Sequence, residues 1–354
     1  HYPFGAATFD AVNKTFTHTW GDAYCSTDLA AYDFMFSTVY ETPFVVDETT
    51  TVLPIALTFR PLMARIGMKL ALGANETPKY VTFTTDDNVV NADGTFSASA
   101  LTNSLTVETD RKEFTVGLLP VGVASKMSVH VTTTDGMTYS DKSFQLAGLK
   151  RNTHYTMNVP CRTKRFMLTV PDGVNSKYGT GTYGDNGFFQ VEPQYDPESI
   201  FDGWHFLRSE IKSDKDAADG DVLKNRNRIQ LQAVSLGTNR AQNGAFVTPP
   251  IQCDGTKTVT VSFTAATNKL TVGSVQYRIG VTNNGADISE NFLRSFDNIQ
   301  SSLEGECPWK HSGSVSRTHT FTVTNGQRIM MKVYSSGGGT PCHLELADFT
   351  YTVE

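Results

Sequence analysis

Four residues in the second half of the chain have side chains of the types that bind sugars: two tryptophans, an arginine and a tyrosine. The segment "FDGWHFLRSE" (201–210) places Trp204 and Arg208 on one parity of an alternating run. Trp309 follows a proline in a predicted loop, and Tyr334 precedes the glycine-rich loop "SSGGGTP". An aromatic ring covers the apolar face of a sugar, and a guanidinium group donates to its hydroxyl groups. We therefore predict a ligand site of Trp204, Arg208, Trp309 and Tyr334, with burial of Trp204 in the core as the alternative.

Acidic residues raise the question of a calcium ion. The segment "SDKDAADGD" (213–221) has oxygen ligands at alternating positions, but it lacks the glutamate that closes an EF-hand loop. Asp348 and Glu345, near the last predicted strand, are a second candidate pair. We predict that the protein needs no cofactor, and a structural calcium ion at Asp348 and Glu345 is the alternative.

No catalytic constellation stands out. The sequence contains no G-x-S-x-G elbow, no phosphate-binding loop and no H-E-x-x-H motif. His130 and His319 fall on the outer parity of predicted strands, so we expect them at the surface. We predict that the protein is not an enzyme. A β-sandwich hydrolase stays open, because a sequence does not show the separation of two carboxylates.

The charge of the chain argues against a nucleic-acid partner. The 30 Lys and Arg residues are outnumbered by 36 Asp and Glu residues, which gives a formal net charge of −6. Basic residues form one short run, at Arg162, Lys164 and Arg165, which we interpret as a solvated segment between domains. Nucleic-acid binding needs a larger basic surface than this.

The compartment is inferred from composition. No stretch approaches the roughly 18 apolar residues that cross a bilayer. The first residues, "HYPF", do not have the charged and then apolar pattern of a signal peptide. Abundant Thr, Ser, Asn and Gly with modest Glu and Lys is typical of exported β-rich proteins, so we predict a mature or trimmed form of an exported protein, with a cytosolic protein as the alternative.

Five cysteines do not make a disulfide scaffold or a zinc site. They are widely spaced and show no CxxC motif: Cys25, Cys161, Cys253, Cys307 and Cys342. We favour isolated thiols. The alternative is a bridge in the C-terminal half, between Cys307 and Cys342 or between Cys253 and either of them.

Period-two hydrophobic patterns recur along the whole chain and predict strands. In "TFRPLMARIGMKLAL" (58–72) the apolar residues Ile66, Met68, Leu70 and Leu72 share one parity, which predicts a strand from about Ala64. Explicit turn signals separate such runs, including Asp-Gly and Asn-Gly pairs. The density of short strands predicts an all-β fold of two β-sandwich domains.

Three local features refine this prediction. Residues 290–303 have near-helical spacing of apolar residues and are the best helix candidate, with a long loop as the alternative. In the last strand the apolar parity slips by one at Ala347-Asp348, which predicts a β-bulge there. The run "PDGVNSKYGTGTYGDNG" (171–187) marks a linker.

These features divide the chain into three parts. We predict a first β-sandwich domain at 1–164, a linker at 165–187, and a second, ligand-binding sandwich at 188–354.

Three segments of the first half carry a resemblance. "LPIALTFRPLMARIGMKLAL" (53–72) resembles the core strand of Bacteroidales-type fimbrillins, the subunits of cell-surface pili and related adhesins. "AAYDFMFSTVYETP" (30–43) and "FQLAGLKRNTHYTMNV" (144–159) resemble two further elements of that family in the same order. The second half is different: "AFVTPPIQCDGTKTVTVSFTAAT" (245–267) and "HLELADFTYTVE" (343–354) resemble a galactose-binding-type jelly roll.

The resemblance implies a function. Fimbrillins are exported as lipoproteins and assemble by strand exchange between neighbouring subunits. The chain is thus expected to be a pilus tip or accessory subunit in the fimbrium, at the cell surface and outer membrane. Its C-terminal domain would bind a glycan or a protein ligand. The alternative is a non-catalytic carbohydrate-binding surface lipoprotein of a polysaccharide-utilisation system.

Overall fold

The computed structural model describes most of the chain between residues 64 and 354 and four short stretches before it. The described residues are 7–10, 15–18, 35–37, 59–61, 64–85, 103–118, 126–145, 148–150, 152–172, 175–178, 188–190, 203–213, 223, 226–233, 243–268, 274–282, 287–308, 313–336 and 342–354.

The secondary structure of the described residues is almost entirely β-strand, which confirms the predicted all-β class. The first twelve strands are β1 (Ala7–Asp10), β2 (Thr15–His18), β3 (Met35–Ser37), β4 (Phe59–Pro61), β5 (Ala64–Ala71), β6 (Pro78–Thr85), β7 (Asn103–Glu108), β8 (Glu113–Leu118), β9 (Lys126–Thr133), β10 (Thr138–Gln145), β11 (His154–Pro160) and β12 (Lys164–Met167). The others are β13 (Asn175–Tyr178), β14 (Phe188–Gln190), β15 (His205–Leu207), β16 (Ser209–Lys212), β17 (Arg228–Ala233), β18 (Ala245–Val247), β19 (Thr256–Asn268), β20 (Ser274–Val281), β21 (Gln300–Pro308), β22 (Val315–Thr324), β23 (Ile329–Ser336) and β24 (Cys342–Val353). One short helix, α1 (Glu290–Arg294), lies between β20 and β21.

The chain divides into two compact units. The first unit comprises His1–Leu72, Pro78–Thr132 and Ser140–Cys161. The second unit comprises Arg162–Glu354 and two short segments from earlier in the chain, Gly73–Thr77 and Thr133–Tyr139.

Strand β5 is the centre of a three-stranded sheet in the first unit. It pairs with β8 in antiparallel fashion and with β11 in parallel. Ile66, Met68 and Leu70 are buried, and the residues between them are more exposed, as the sequence predicted. Leu72 lies one residue beyond the strand and is half-buried. Alternation of side chains across a pleat fixes which face of β5 enters the core.

A second group of strands has the order β10–β9–β6–β7. Its residues belong to the first unit, except Thr133 at the end of β9 and Thr138 and Tyr139 at the start of β10, which belong to the second unit. The ring of Phe83 on β6 meets the ring of Phe114 on β8 edge-on, with centroids 6.2 Å apart. Met127, Val129 and Val131 on β9 are buried. Side chains from two sheets thus share the apolar core of the first unit, as in a β-sandwich.

One segment that carries the fimbrillin resemblance has a local hydrogen bond. The backbone N–H of Lys150 donates to the hydroxyl oxygen of Tyr155, at 2.8 Å. Leu149, beside it, is buried. Of the segment at 30–43, the structure describes only β3, which pairs with β4.

The second unit is a sandwich of two sheets, which we call sheet A and sheet B. Sheet A contains β13–β16–β17–β24–β12, and β19 pairs with both β24 and β22. Sheet B has the order β14–β15–β18–β23–β20–β21. From β17 onwards the chain passes repeatedly between the sheets: β17, β19, β22 and β24 belong to sheet A, and β18, β20, β21 and β23 to sheet B. This alternation is the type of connectivity that a jelly roll requires.

A single apolar core fills the space between the two sheets. Sheet A contributes Ile229, Val261 and Phe349, among others, and sheet B contributes Phe246 and Met331. Each fully buried side chain of this kind stabilises the fold by roughly 1.5–3 kcal/mol.

The predicted bulge in the last strand is confirmed. Ser262 of β19 lies opposite Thr350, but Thr264 lies opposite Ala347, so β24 has one extra residue. Asp348 occupies this position with a φ of 51°. The slip allows the apolar residues on both sides of it to enter one core.

Other predictions need correction. Residues 165–170 are not part of a linker: Lys164–Met167 form β12, and Phe166, Leu168 and Val170 are buried in the core of the second unit. Of the helix candidate at 290–303, only α1 is helical, and β21 begins at Gln300. The helical spacing was misleading because the sheet pairing of β21 outweighs local propensity.

Two further predictions concern side-chain environments. His319 is 9 % exposed and faces the core, contrary to the expectation of a surface position. Cys253 and Cys307 are free thiols, which excludes the bridges considered for the C-terminal half. Cys161 is also free.

No helix within the described ranges is long and apolar enough to cross a membrane.

Candidate functional site

A half-buried arginine of sheet B lies against two aromatic rings that also contact each other. The guanidinium carbon of Arg278 on β20 is 5.0 Å from the ring centroid of Tyr334 and 5.6 Å from that of Phe296. The two rings meet edge-on, with centroids 5.4 Å apart. A cation this close to aromatic faces is attracted by the ring quadrupoles.

Glu304 on the neighbouring strand β21 completes this group. Arg278 and Glu304 are directly opposite each other in the sheet, and Nε of Arg278 donates to Oε1 of Glu304 at 2.9 Å. The side chain of Arg278 is 29 % exposed and that of Glu304 is 64 % exposed. We call Arg278, Phe296, Glu304 and Tyr334 the arginine–aromatic face.

Alternation along β23 places Tyr334 on this face. Val333 is buried in the core between the sheets, whereas Lys332 and Tyr334, on either side of it, both lie close to Phe296. A β-bulge follows at this point, because Val333 lies opposite Tyr277 and Ser335 lies opposite Gln276.

The short helix α1 positions Phe296. Its N-cap residue Ser289 accepts a hydrogen bond from the N–H of Phe292, and Leu293 anchors the helix in a small apolar cluster. Phe296 packs against that cluster directly after the helix ends. The cap and the anchor together hold this ring over sheet B.

A buried lysine lies beneath the arginine–aromatic face. Nζ of Lys332 is 5.2 Å from the ring centroid of Phe296 and donates to the backbone oxygen of Asn243 at 3.1 Å. Desolvation lowers the pKa of Lys332 to about 7, and the nearby charges of Arg294 and Arg208 add to this effect. Lys332 is thus only partly protonated near pH 7, and the guanidinium group of Arg278 is the more exposed of the two basic groups.

Trp204 does not take part in this site. It is 1 % exposed and contacts Phe166, Phe206 and Phe246, with centroids 5.1, 5.7 and 5.5 Å away. A ring enclosed in this way has no face for a sugar, so its assignment as a binding residue is wrong. The alternative of a core tryptophan is confirmed.

Arg208 is also buried, which corrects its predicted exposure. It is 3 % exposed, with a φ of 47°, and joins β15 of sheet B directly to β16 of sheet A. The chain changes sheets at this one residue. The regular alternation of side chains therefore does not continue from residue 204 to residue 210. The residues before Arg208 belong to sheet B, and those after it belong to sheet A.

Of the other two predicted residues, Tyr334 is half-buried on the arginine–aromatic face, and Trp309 lies outside the described residues. Trp309 follows Pro308, which pairs with Ser274 at the start of β20. Ser336, the last residue of β23, lies opposite Val275, so β23 ends beside the start of β20.

The calcium candidates have protein partners. Glu345 is 1 % exposed, and its Oε1 accepts from Nε2 of Gln230 at 2.7 Å. Asp348 is exposed and forms an ion pair with Arg226. Where the structure describes the chain, no three His, Cys, Asp or Glu residues are grouped so as to hold a metal ion.

Sequence reasoning did not identify Arg278, Phe296 or Glu304. Arg278 had a usable signal, because it stands between the apolar residues Tyr277 and Ile279 in a run of alternating apolar residues. Glu304 had none, because its strand begins inside the predicted helix. Its pairing with Arg278 depends on the register of β20 and β21.

Comparisons with known proteins do not extend this description. No family model and no curated protein matches the sequence. Among solved structures, the C-terminal CBM6 of a laminarinase from Zobellia galactanivorans is 9 % identical, with 51 % of this chain and all of that chain covered at a TM-score of 0.24. The K1 adhesin domain of Lys-gingipain from Porphyromonas gingivalis is 13 % identical, with 51 % and 96 % covered at a TM-score of 0.27. Scores this low carry no argument about fold or function.

Proposed function

We propose that this protein is a non-catalytic cell-surface adhesin whose second unit binds a glycan or protein ligand through the arginine–aromatic face. One observation carries the proposal: Arg278 packs against both Tyr334 and Phe296 and is still partly exposed. The face offers an aromatic surface, a guanidinium fork and a carboxylate within one small area. All three groups bind sugars, and tyrosine and arginine are also enriched at the hot spots of protein interfaces.

The finer proposal is a fimbrillin-like tip or accessory subunit of a pilus. It rests on the resemblance of residues 30–43, 53–72 and 144–159 to fimbrillins, and it includes export to the outer membrane and assembly by strand exchange.

The second candidate is a carbohydrate-binding surface lipoprotein of a polysaccharide-utilisation system. The supporting observation is that the arginine–aromatic face has side chains of the types that bind sugars.

The test is a binding screen of the whole chain on a glycan array and on immobilised surface proteins. Tyr334→Ala and Arg278→Ala should each weaken binding of the ligand found by about tenfold, because each removes a stacking or charged contact worth about 1–2 kcal/mol. Tyr334→Phe should retain binding that depends on stacking. Thr320→Ala, an exposed change on β22 of sheet A, is the control.

Two results would overturn the proposal. Binding that is unchanged in both alanine variants would show that the ligand uses another surface. Turnover of a bound polysaccharide by the purified protein would show that the protein is an enzyme.

A further inference from the structure

A buried lysine in the second unit lies against two carboxylates. Nζ of Lys164 is 2.6 Å from Oδ2 of Asp135 and 3.1 Å from Oε1 of Glu76. Lys164 is 1 % exposed, Asp135 2 % and Glu76 7 %. Lys164 also donates to the backbone oxygen of Gln252. An amine and a carboxyl group are therefore in contact, out of water, with a second carboxyl group beside them.

The carboxyl group of Asp135 is held by donors on both oxygens. Oδ1 accepts from the hydroxyl of Thr133 at 2.6 Å and from the N–H of Met137 at 3.2 Å. Oδ2 accepts from the N–H of Gln252 at 2.9 Å. Fixed donors around a carboxyl group stabilise the negative charge that develops on its oxygens when the carbon is attacked.

Glu76 is held in a similar way. Its Oε1 accepts from the hydroxyl of Tyr139 at 2.6 Å, and its Oε2 accepts from the N–H of Gly73 at 2.8 Å. Tyr139 pairs directly with Lys164 across β10 and β12. Glu76 is thus fixed beside the amine, within reach of the protons of Lys164.

We propose that Lys164 and Asp135 join in an intramolecular isopeptide bond, with Glu76 carrying protons between them. This proposal concerns a covalent modification of the fold, and it does not depend on the ligand proposed above.

The reaction is a condensation that needs no external reagent. Glu76 accepts a proton from the ammonium group, and the free amine of Lys164 attacks Cγ of Asp135. The new N–Cγ bond forms and one Cγ–O bond breaks. That oxygen leaves as water with two of the three ammonium protons, one of them returned by Glu76, and the third proton stays on the amide. Glu76 ends the reaction unchanged, as a general acid–base catalyst does.

Burial favours the forward reaction. A buried ion pair carries a desolvation cost that a neutral amide does not. Contact between amine and carboxyl also replaces a bimolecular encounter with a reaction inside one molecule. A second lysine–carboxylate pair in the chain serves as the comparison. Lys69 and Glu113 form an ion pair at 2.9 Å, with side chains 62 % and 66 % exposed. That pair lacks the burial and the second carboxyl group, so we expect it to remain an ion pair.

The measurement is the intact mass of the denatured, reduced full chain. We expect the wild-type protein to be lighter than its sequence by the mass of one water molecule. Lys164→Arg, Asp135→Ala and Glu76→Gln should each have the full mass of their sequence. Protease digestion should yield one branched peptide in which Lys164 is joined to Asp135, and the peptide containing Lys69 should be linear.

One side reaction gives the same change in mass. Asp135 precedes Gly136, and a succinimide at an Asp-Gly pair also loses water. That loss would persist in Lys164→Arg and would give no branched peptide. Either that result or a folded wild-type protein of full mass overturns the proposal. The wild-type measurement decides the question even where a variant fails to fold.

Discussion

The phenol of Tyr277 and the imidazole of His319 form a hydrogen bond that joins the two sheets of the second unit. The hydroxyl oxygen of Tyr277 on β20 is 3.0 Å from Nε2 of His319 on β22. Both residues are buried, and burial raises the pKa of Tyr277 to about 12 and lowers that of His319. Both side chains are therefore neutral near pH 7, and they satisfy each other inside an apolar core.

Removing the Tyr277 hydroxyl should destabilise the second unit. Tyr277→Phe leaves Nε2 of His319 without this partner, so we expect the free energy of unfolding to fall by about 1–3 kcal/mol. Chemical denaturation followed by fluorescence measures this change. Thr320→Ala, next to His319 but exposed, is the control and should be close to neutral. A loss no larger than that of the control would show that the bond contributes nothing.

Stability should depend on the ionisation of Lys332. Because burial lowers its pKa from 10.5 to about 7, the unfolded chain binds more protons than the folded chain between these values. The free energy of unfolding should therefore rise with pH across this window, by up to about 1.4 kcal/mol per pH unit. The contribution is read as the difference between wild type and Lys332→Met from pH 7 to pH 9. Parallel curves for the two proteins would contradict the lowered pKa.

The bulge at Asp348 should prefer glycine to alanine. Asp348 has a φ of 51°, a conformation that strains residues with a Cβ atom. Asp348→Gly and Asp348→Ala both lose the ion pair with Arg226. We expect the glycine variant to be more stable by about 1 kcal/mol, since it alone is relieved of the strain. Equal melting temperatures of the two variants would argue against the bulge.

Gly244 should not tolerate a methyl group. A Cβ atom there would lie 2.6 Å from the backbone nitrogen of Gln232 and 2.7 Å from the backbone oxygen of Arg208. These two atoms are themselves hydrogen-bonded, at 3.0 Å. Gly244→Ala should cost about 1–3 kcal/mol of stability, because backbone has to move. In the control Gly67→Ala, the nearest atom is on a side chain, 3.1 Å away, and the loss should be smaller.

The sequence by itself determined several of the strands and the faces that they bury. Period-two alternation located β5 and its buried residues, and the parity slip located the bulge at Asp348. These signals are local: the direction of a side chain in a strand follows from its position along the pleat. They could therefore be read without knowing which strands are neighbours.

Only the tertiary structure decided which side chains meet. Trp204 was predicted at a ligand site and lies in the core, because both faces of β15 are covered: Phe206 faces the core with Trp204, and Leu207 faces the apolar cluster around α1. Lys164 was interpreted as part of a solvated basic segment, yet it is buried against Asp135, 29 residues earlier, and Glu76. The face around Arg278 depends on the register of β20 with β21 and with β23. Such contacts join residues far apart in the chain, and alternation within one strand carries no information about the strand beside it.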